Sequence, residues 1–326
     1  MEYVKLGKTG VKVSRVILGT MQMGWMIDEK TSFKILDRAI ELGINAIDTA
    51  DIYSKWSEES HAGKAEEIIG NWLRDRGIRD DIVLGTKVYG DMSEDINNKG
   101  LSRRHIHQAI NGSLKRLQTD WIDVYFTHTF DADTPIEETL RTMTSLIEEG
   151  KVNYIGASNH PAWRLMQALW VSDKYNYASY QILQPVYNTA RRRTFEQEIE
   201  PIVKEYDLGV TSYSPLGGGF LTGKYEKEKI NENPRYESIK KRYFKDKNFE
   251  ILKALKDLSV IKGTTMAQMA LLWVLNKEAI TAPIIGANSI AQLEEDIAAL
   301  EVKLTENDLK ILDEASEWLT IDELTR

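Results

Sequence analysis

Cysteine is absent from all 326 residues of the sequence, and histidine occurs only five times. Without cysteine there is no disulfide bond, no thiolate nucleophile and no thiolate metal site. The one close histidine pair, His105 and His107, is two positions apart on a predicted helix, so the two rings face different directions. No His-Glu-x-x-His and no Gly-x-Ser-x-Gly motif occurs. The sequence therefore predicts no metal site and no serine-hydrolase elbow.

An excess of basic residues and long apolar runs are also lacking. The chain has 42 Lys and Arg against 50 Asp and Glu, a net charge of −8, which argues against nucleic acid or an anionic membrane as a partner. No segment approaches the length of a membrane span, and the N-terminus has no signal-peptide run. We predict a cytoplasmic protein with a small-molecule partner; monomer and homo-oligomer both stay open.

No Pro/Gly/Ser-rich linker and no break in composition divides the chain, so residues 1–326 are predicted to form a single domain. After a hairpin at 4–13, short apolar runs alternate with amphipathic helices. A long irregular stretch is predicted at 216–248. The predicted strands are 16–18, 44–48, 82–84, 122–126, 154–157, 180–183, 209–212 and 282–285. The predicted helices are 29–42, 64–74, 102–117, 135–149, 161–171, 194–206 (with a break before Pro201), 249–261, 266–275, 290–300 and 306–318.

Eight strand–helix units favour parallel pairing and right-handed crossovers, and eight such units can close on themselves. The predicted fold class is α/β: a (β/α)8 TIM barrel with an N-terminal hairpin and extra C-terminal helices. A doubly wound open sheet is the alternative. It is disfavoured because Gly19-Thr-Met-Gln-Met-Gly24 lacks the Gly-x-Gly-x-x-Gly spacing of a dinucleotide-binding turn.

Polar side chains follow nearly every predicted strand. In a β/α barrel the carboxyl ends of the strands share one face, where active sites lie. Each residue alone has an ordinary explanation, such as a surface lysine or a loop histidine, but a full set on one rim indicates a site. The residues are Thr20, Asp48, Lys87, His128, Ser158 with Asn159, Gln184, Tyr213 with Ser214, and Gly286.

Tyr53 comes five residues after the strand-end Asp48, and this pair suggests proton transfer from a phenol. A free tyrosine has a pKa of about 10 and is a weak acid at neutral pH. The ammonium of Lys87 would stabilise the phenolate and lower that pKa, and Asp48 would hold the lysine in place. A histidine such as His128 can hydrogen-bond a carbonyl oxygen. Together these four residues can donate a proton from Tyr53 to a substrate oxyanion as hydride reaches its carbon.

The segment Gly218-Gly-Phe-Leu-Thr-Gly223-Lys224-Tyr225 nearly matches the phosphate-binding loop of ATPases. Its last position is Tyr225, so the hydroxyl that would hold magnesium is missing. We interpret it as a glycine-rich loop that meets a pyrophosphate. The stretch 216–248 around it is long for a plain connection, which predicts a functional lid.

At these motifs the sequence resembles the aldo-keto reductases over essentially the whole chain. Its C-terminal half is similar to the bacterial-type members that have a long cofactor-covering loop. The segments that carry the resemblance are Asn45-Ala-Ile-Asp-Thr-Ala-Asp-Ile-Tyr53, Leu101-Ser-Arg-Arg-His105, Ser113-Leu-Lys-Arg-Leu-Gln-Thr-Asp120, Gly150-Lys-Val-Asn-Tyr-Ile-Gly-Ala-Ser-Asn159, Gln184-Pro-Val-Tyr-Asn188, Tyr213-Ser-Pro-Leu-Gly217 and Leu221-Thr-Gly-Lys-Tyr225.

The resemblance implies an NAD(P)H-dependent carbonyl reductase whose catalytic tetrad is Asp48, Tyr53, Lys87 and His128. It also implies a cofactor site. In that site the nicotinamide carboxamide would be held by Ser158, Asn159 and Gln184, and its ring would stack on Tyr213. The pyrophosphate would lie along Ser214, Leu216, Gly218 and Lys224. The adenosine would be received by Gly286, Asn288, Gln292, Glu295 and Asp296, and the site would be completed by Gly19, Thr20 and Met21.

Two positions depart from the family pattern at the adenosine end. Asn288 stands where the family often has Arg or Lys, and Asp296 where it often has Asn. Both changes weaken the expected preference for NADP. Against them, Ser289 caps a predicted helix whose N-terminus favours an anion at the same place. We therefore predict NADP(H) as cofactor and keep NAD(H) as the alternative.

Two further questions stay open at this stage. The insert 54–62, carrying Trp56 and His61, is either a substrate wall or a solvated loop. The function is either an oxidoreductase acting on an aldehyde or ketone, or a nucleotide-binding regulatory or interaction subunit of the same fold with little turnover. Another barrel enzyme, such as a phosphate-binding isomerase, lacks its expected base.

Overall fold

The structure is a computed structural model that describes residues 1–227 and 233–318. It opens with the predicted hairpin, β1 (Tyr3–Lys5) paired antiparallel with β2 (Lys12–Ser14). Leu6 and Val13 of this hairpin are buried against barrel-strand residues such as Ile17 and Phe126. The hairpin thus closes the amino-terminal end of the barrel and leaves the carboxyl-terminal end for a site.

Eight parallel strands form one sheet in the order β10-β3-β4-β5-β6-β7-β8-β9. Its two end strands approach each other, because the Ile284 N–H donates to the Ser212 carbonyl over 2.8 Å and Tyr213 bridges to Ile284. The (β/α)8 TIM-barrel prediction is confirmed. The strands are β3 (Ile17–Gly19), β4 (Ala46–Asp48), β5 (Val83–Val88), β6 (Ile122–Thr127), β7 (Val152–Ser158), β8 (Ile182–Gln184), β9 (Gly209–Val210) and β10 (Ile284–Ile285).

Helices surround the sheet. Several of them begin directly after a polar N-cap residue, as the sequence indicates. Ser102 accepts the His105 N–H at the start of α3, and Thr265 forms a capping box with Gln268 at the start of α9. The helices are α1 (Glu29–Glu41), α2 (Lys64–Arg76), α3 (Arg103–Leu117), α4 (Ile136–Glu148), α5 (Ala162–Tyr175), α6 (Glu200–Tyr206), α7 (Tyr236–Tyr243), α8 (Asp246–Lys262), α9 (Met266–Leu275), α10 (Ile290–Ala298) and α11 (Glu306–Ala315).

The long stretch 216–248 is not irregular as predicted. It contains a 3₁₀ segment at Gly217–Thr222, the helix α7 and the first turn of α8, while residues 228–232 lie outside the described part. Aromatic packing holds these pieces together, since the Phe220 ring stacks on Tyr243 at 5.5 Å and also packs against Phe244 and Phe249. These contacts cross more than twenty positions, so a local periodicity reading missed them.

A second difference concerns the strand carrying Lys87. The sequence places Thr86 and Lys87 after a strand that ends at Leu84, but β5 continues to Val88. Lys87 is therefore a strand residue whose side chain is fully buried inside the barrel mouth, not a residue of the following loop. The predicted helix break before Pro201 is present, as a π-helical turn at Phe195–Ile199 that precedes α6.

Within residues 1–227 and 233–318, no single helix is long and apolar enough to cross a membrane. The pair α8 and α9 passes that test of length and composition only when taken together, and the two helices are bent by 99°.

Candidate active site

Asp48, Lys87 and Tyr53 meet at the carboxyl-terminal mouth of the barrel. The Lys87 Nζ donates to Asp48 Oδ2 over 2.6 Å, to the Thr49 carbonyl over 2.7 Å and to the Tyr53 hydroxyl over 3.1 Å. These three bonds use all three donors of the ammonium. Because Tyr53 accepts from Lys87, its own hydroxyl hydrogen is free to be donated to another molecule.

The Asp48 carboxylate is fixed from two sides. Its Oδ1 accepts the Gln184 Nε2 over 2.7 Å, while its Oδ2 holds Lys87. Asp48 is 5% exposed and Lys87 is 0% exposed, so this ion pair is shielded from water. Gln184 thus uses one amide N–H on the carboxylate, and its contact with a nicotinamide carboxamide stays a prediction.

Burial has the largest influence on the acidity of Tyr53. Burial raises the pKa of Tyr53 above its usual value; the Lys87 ammonium opposes this rise and the Asp48 carboxylate adds to it. The lowered pKa expected from the sequence is therefore wrong for this structure, although the lowering influence of Lys87 is present. Burial also opposes the charge on Lys87, but Asp48 and then Tyr53 raise the lysine pKa overall, so the ammonium persists.

His128 lies beside the phenol, with its ring centroid 6.0 Å from that of Tyr53. Burial, and next the Lys87 charge, lower the pKa of His128 to about 3. The imidazole is therefore neutral at any physiological pH. A neutral ring carries one N–H donor, which can hydrogen-bond a substrate oxygen without competing with Tyr53 as an acid.

A polar shelf adjoins this group along β7 and β8. Asn159 donates through Nδ2 to the His128 carbonyl over 2.9 Å and to the Ser158 hydroxyl over 3.0 Å. Its Oδ1 accepts the Tyr213 hydroxyl over 2.8 Å, and Ser158 donates to the Gln184 carbonyl over 2.8 Å. Asn159 has φ +55°, a left-handed conformation that turns the chain toward the mouth. The structure thus brings together the four residues predicted to face a nicotinamide.

The glycine-rich loop follows, and a cation that the sequence analysis missed lies over it. Gly217, Gly218 and Gly219 all have positive φ, at 60°, 68° and 95°. A Cβ at Gly218 would lie 3.2 Å from Arg235 Nη2, and one at Gly219 would lie 2.8 Å from Lys224 Nζ. The backbone and two cations therefore line one place, next to Ser214 and Leu216.

Arg235 could not be selected from the sequence, because it is one of several Lys and Arg residues in the stretch 216–248. Only the folding of α7 onto the glycine loop distinguishes it. Burial, and then Arg242, lower the pKa of Arg235; burial, and then Arg235, lower that of Lys224. Neither has a carboxylate partner within the described residues. Two neighbouring like charges, Arg235 half-buried and Lys224 exposed, that lack a carboxylate partner in the described part indicate an anion site.

The predicted adenosine end is the start of α10. Ser289 caps this helix by accepting the Gln292 N–H over 3.3 Å, and Gln292 Oε1 accepts the Asn288 N–H over 2.8 Å. Asp296 is 4% exposed; burial, and then Glu295, raise its pKa to about 7. Gly286 lies beside the Gln22 side chain: a Cβ at position 286 would be 3.2 Å from Gln22.

Three residues at the end of β3 contribute support. Thr20 is buried and donates its hydroxyl to the Asp48 carbonyl over 2.9 Å, so it fixes the strand that carries the Asp48 carboxylate. Gly19 allows close packing on β10, since a Cβ there would lie 2.7 Å from the Ile284 side chain. Met21 is half-buried. Their cofactor contacts stay predictions.

The insert 54–62 divides into two parts. Trp56 lies over the site, with its ring 6.0 Å from Tyr53 and 5.4 Å from Trp25. Trp56 is 44% exposed, so an apolar surface borders the phenol and faces solvent. His61 points away and pairs with Glu67 at 3.0 Å on the surface. In the described ranges no three metal-binding side chains cluster.

The geometry is accompanied by extended sequence similarity. The aldo/keto reductase family model matches residues 15–317. The chain is 39% identical to the uncharacterized oxidoreductase YrpG of Bacillus subtilis (strain 168), covering 96% of this chain and 95% of that protein. It is 35% identical to a probable voltage-gated potassium channel subunit beta of Oryza sativa subsp. japonica, over 93% and 92%. It is 32% identical to the putative aryl-alcohol dehydrogenase AAD16 of Saccharomyces cerevisiae (strain ATCC 204508 / S288c), over 96% of each.

This family generally uses NAD(P)H and acts on small-molecule carbonyl substrates. With the family model spanning nearly the whole chain and relatives above 30% identity over nearly their full lengths, the protein is an oxidoreductase and belongs to the aldo/keto reductase family.

Proposed function

We propose that the protein reduces an aldehyde or ketone to an alcohol with NADP(H), and that Tyr53 donates the proton. The observation that carries the proposal is the Lys87 ammonium, bonded to Asp48 and to the Tyr53 hydroxyl at 2.6 and 3.1 Å. A buried lysine–carboxylate pair contributes little to stability, so its placement against a phenol supports a role in a reaction where charge develops there. The charge in this reaction is the phenolate left when Tyr53 gives up its proton.

A dinucleotide fits the chain's own residues. Lys224 and Arg235 face the glycine loop without a carboxylate partner in the described part, and a pyrophosphate would neutralise both. The three left-handed glycines leave room for phosphate oxygens against the backbone. When bound, the reduced nicotinamide supplies the hydride for the carbonyl carbon. Asn159 and Ser158 carry the polar atoms that would orient its carboxamide.

The chain's residues then perform the proton step. The His128 N–H and the Tyr53 hydroxyl both hydrogen-bond the carbonyl oxygen. As negative charge grows on that oxygen, the Tyr53 proton moves to it and the product alcohol forms. The phenolate that remains is held by the Lys87 ammonium, whose own charge Asp48 balances. The site thus stabilises the charge of the transition state more than that of the ground state.

The preference for NADP(H) rests on the start of α10. A 2′-phosphate normally requires a basic side chain, and Asn288, Ser289 and Gln292 provide none. The free N–H groups at the helix start and its dipole favour an anion there. We infer NADP(H) with a weaker preference over NAD(H) than a basic clamp would give.

The substrate is proposed to have an apolar body. Trp56 and Trp25 form an aromatic wall next to the phenol, and Trp56 is exposed. An exposed indole such as Trp56 is stabilised by covering its face with apolar surface. A relative named as a putative aryl-alcohol dehydrogenase agrees with such a substrate.

A second function, a nucleotide-binding subunit with little turnover, is favoured by the relative named as a potassium channel subunit beta. One experiment separates the two functions: a panel of aldehydes and ketones is assayed with NADPH and NADH in parallel, alongside titration of NADPH fluorescence. Carbonyl-dependent loss of NADPH supports the reductase. Fluorescence quenching on binding, with no carbonyl-dependent loss across the panel, would instead support the subunit.

A further inference from the structure

A cavity of about 690 Å³ lies beside the active site and does not include Tyr53, Lys87 or Asp48 in its lining. It is formed where β7 and β8 meet α5, the π-helical turn and α8. Ala157 and Leu183 line it, and they alternate along their strands with Ser158 and Gln184 of the site. Successive strand residues face opposite sides of a sheet, so the cavity is on the helix side of the barrel wall.

The interior of the cavity is apolar. Its apolar lining residues include Phe130, Leu165, Phe195, Ile199 and Ile251. Its volume falls in the range of small-molecule pockets, about 300 to 1,000 Å³. An apolar molecule would gain from being removed from water here.

The mouth of the cavity is basic. The consecutive residues Arg191, Arg192 and Arg193 line it together with Lys247, against one acid, the exposed Glu317. Arg192 is engaged by carboxylates, as its guanidinium binds Glu196 and Asp313.

The other cations have no such partner. Arg193 donates to the neutral Gln197 and lies over the Trp318 ring at 5.9 Å. Arg191 and Lys247 are exposed and form no ion pair within residues 1–227 and 233–318. An apolar interior with a mouth that is positive among the described residues matches an amphipathic anion in shape and in charge.

Two side chains of the lining carry buried polar atoms without a hydrogen-bond partner among the described residues. These are the Thr189 hydroxyl and Nε2 of His160. The His160 Nδ1 is 2.9 Å from the Ser158 carbonyl, which can only accept, so Nδ1 carries the hydrogen and Nε2 is left as an acceptor. Unsatisfied polar atoms in a cavity wall indicate a lining that the chain alone does not complete.

We propose that this cavity is a second ligand site that binds a small amphipathic carboxylate, with the apolar body inside and the carboxylate on Arg191 at the mouth. Lys247 supports the carboxylate from α8. The site is separate from the one proposed for the carbonyl substrate, with Asn159 as the shared border.

The test is isothermal titration calorimetry of the full chain with decanoate, decanol and butyrate. Decanoate should bind at one site, and decanol and butyrate should bind much more weakly because each lacks one half of the recognition. Arg191→Gln should weaken decanoate about tenfold or more, since it removes a charge-assisted hydrogen bond. Ala190→Trp should abolish binding by filling the cavity. Raising the salt concentration should weaken decanoate but not decanol.

Two controls keep the result specific. Arg141→Gln removes an exposed arginine of α4 outside the cavity and should leave decanoate affinity unchanged. Trp56→Ala removes the wall over Tyr53 and should also leave it unchanged, whether or not the proposed reductase function holds. The proposal is overturned if the wild type does not bind decanoate, if decanol binds as tightly, if Arg191→Gln binds like the wild type, or if Trp56→Ala weakens binding as much as Arg191→Gln.

Discussion

Lys87→Met is the substitution that tests the proposed proton step most directly. Lys87 is fully buried and gives all three of its hydrogens to Asp48, Thr49 and Tyr53. Methionine has a similar length and no charge, so the barrel interior stays filled. Loss of the Lys87 ammonium removes the influence that lowers the Tyr53 pKa. Burial and the Asp48 carboxylate, which both raise that pKa, remain.

The magnitude follows from the contact distance. A charge within hydrogen-bond reach shifts a neighbouring pKa by about 1 to 3 units, and each unit corresponds to about 1.36 kcal/mol and a factor of ten. Lys87 contributes both charge and a hydrogen bond at 3.1 Å, so we expect a loss near the upper end. The rate of carbonyl reduction at saturating NADPH should fall about 100-fold to 1,000-fold, or ~3 to 4 kcal/mol in the barrier.

Stability must be separated from catalysis in this variant. Removing one partner of a buried ion pair leaves Asp48 unpaired and costs about 3 to 5 kcal/mol of unfolding free energy. The double variant Asp48→Asn with Lys87→Met removes both charges and should recover much of that stability. It should not recover the rate, because the phenolate still has no cation.

The assay is single-turnover reduction of a carbonyl substrate by NADPH, with thermal unfolding of each variant and fluorescence titration of NADPH. Cofactor affinity should change little. In the reverse direction, where Tyr53 accepts a proton, the pH profile should move to higher pH because the Tyr53 pKa rises. A Lys87→Met enzyme with the wild-type rate would refute the assignment, as would full recovery of the rate in the double variant.

The remaining predictions concern the proton donor, the cofactor and the loop. Tyr53→Phe should remove nearly all carbonyl reduction while NADPH affinity stays nearly unchanged; most of the turnover surviving would exclude Tyr53 as the acid. Asn288→Arg should tighten NADPH binding and leave NADH nearly unaffected, and equal effects on both in titration would contradict the proposed phosphate position. Arg235→Gln should weaken NADPH and NADH alike, because it faces the shared pyrophosphate; an effect on NADPH alone would place it at the 2′-phosphate. Limited proteolysis should cut within 216–248 less when NADP is bound, and equal cutting would argue against a lid.

The barrel and the convergence of its rim were predictable because both follow from local patterns. Parallel strands separated by helices place every carboxyl end on one face, so Asp48, Lys87 and His128 had to come close although they are far apart in sequence. Caps such as Ser102 were equally readable, since a capping bond spans only three residues. That residues 1–326 form a single domain and lie in the cytoplasm stays a prediction.

What could not be predicted depends on contacts between distant segments. Tyr243 of helix α7 packs on Phe220, and the placement of α7 brings Arg235 over Gly218. The run Arg191 to Arg193 carries no local signal for the cavity, since the wall opposite it comes from α8 and from residues near 317. Propensity and periodicity report neighbours along the chain and not these neighbours in space.

The prediction of a lowered Tyr53 pKa is wrong, and this error is informative because the direction of the pKa changes how the donor works. A lowered pKa would help a phenol to ionise in the resting site. Burial instead raises the pKa of Tyr53, so the phenol remains protonated and ready to donate at neutral pH. An alkoxide is far more basic than a phenolate, so the proton still moves downhill once the oxyanion forms. Lys87 is then needed to stabilise the phenolate after transfer, which is why its ammonium must itself be protected from losing its proton, and Asp48 and Gln184 are arranged to do so.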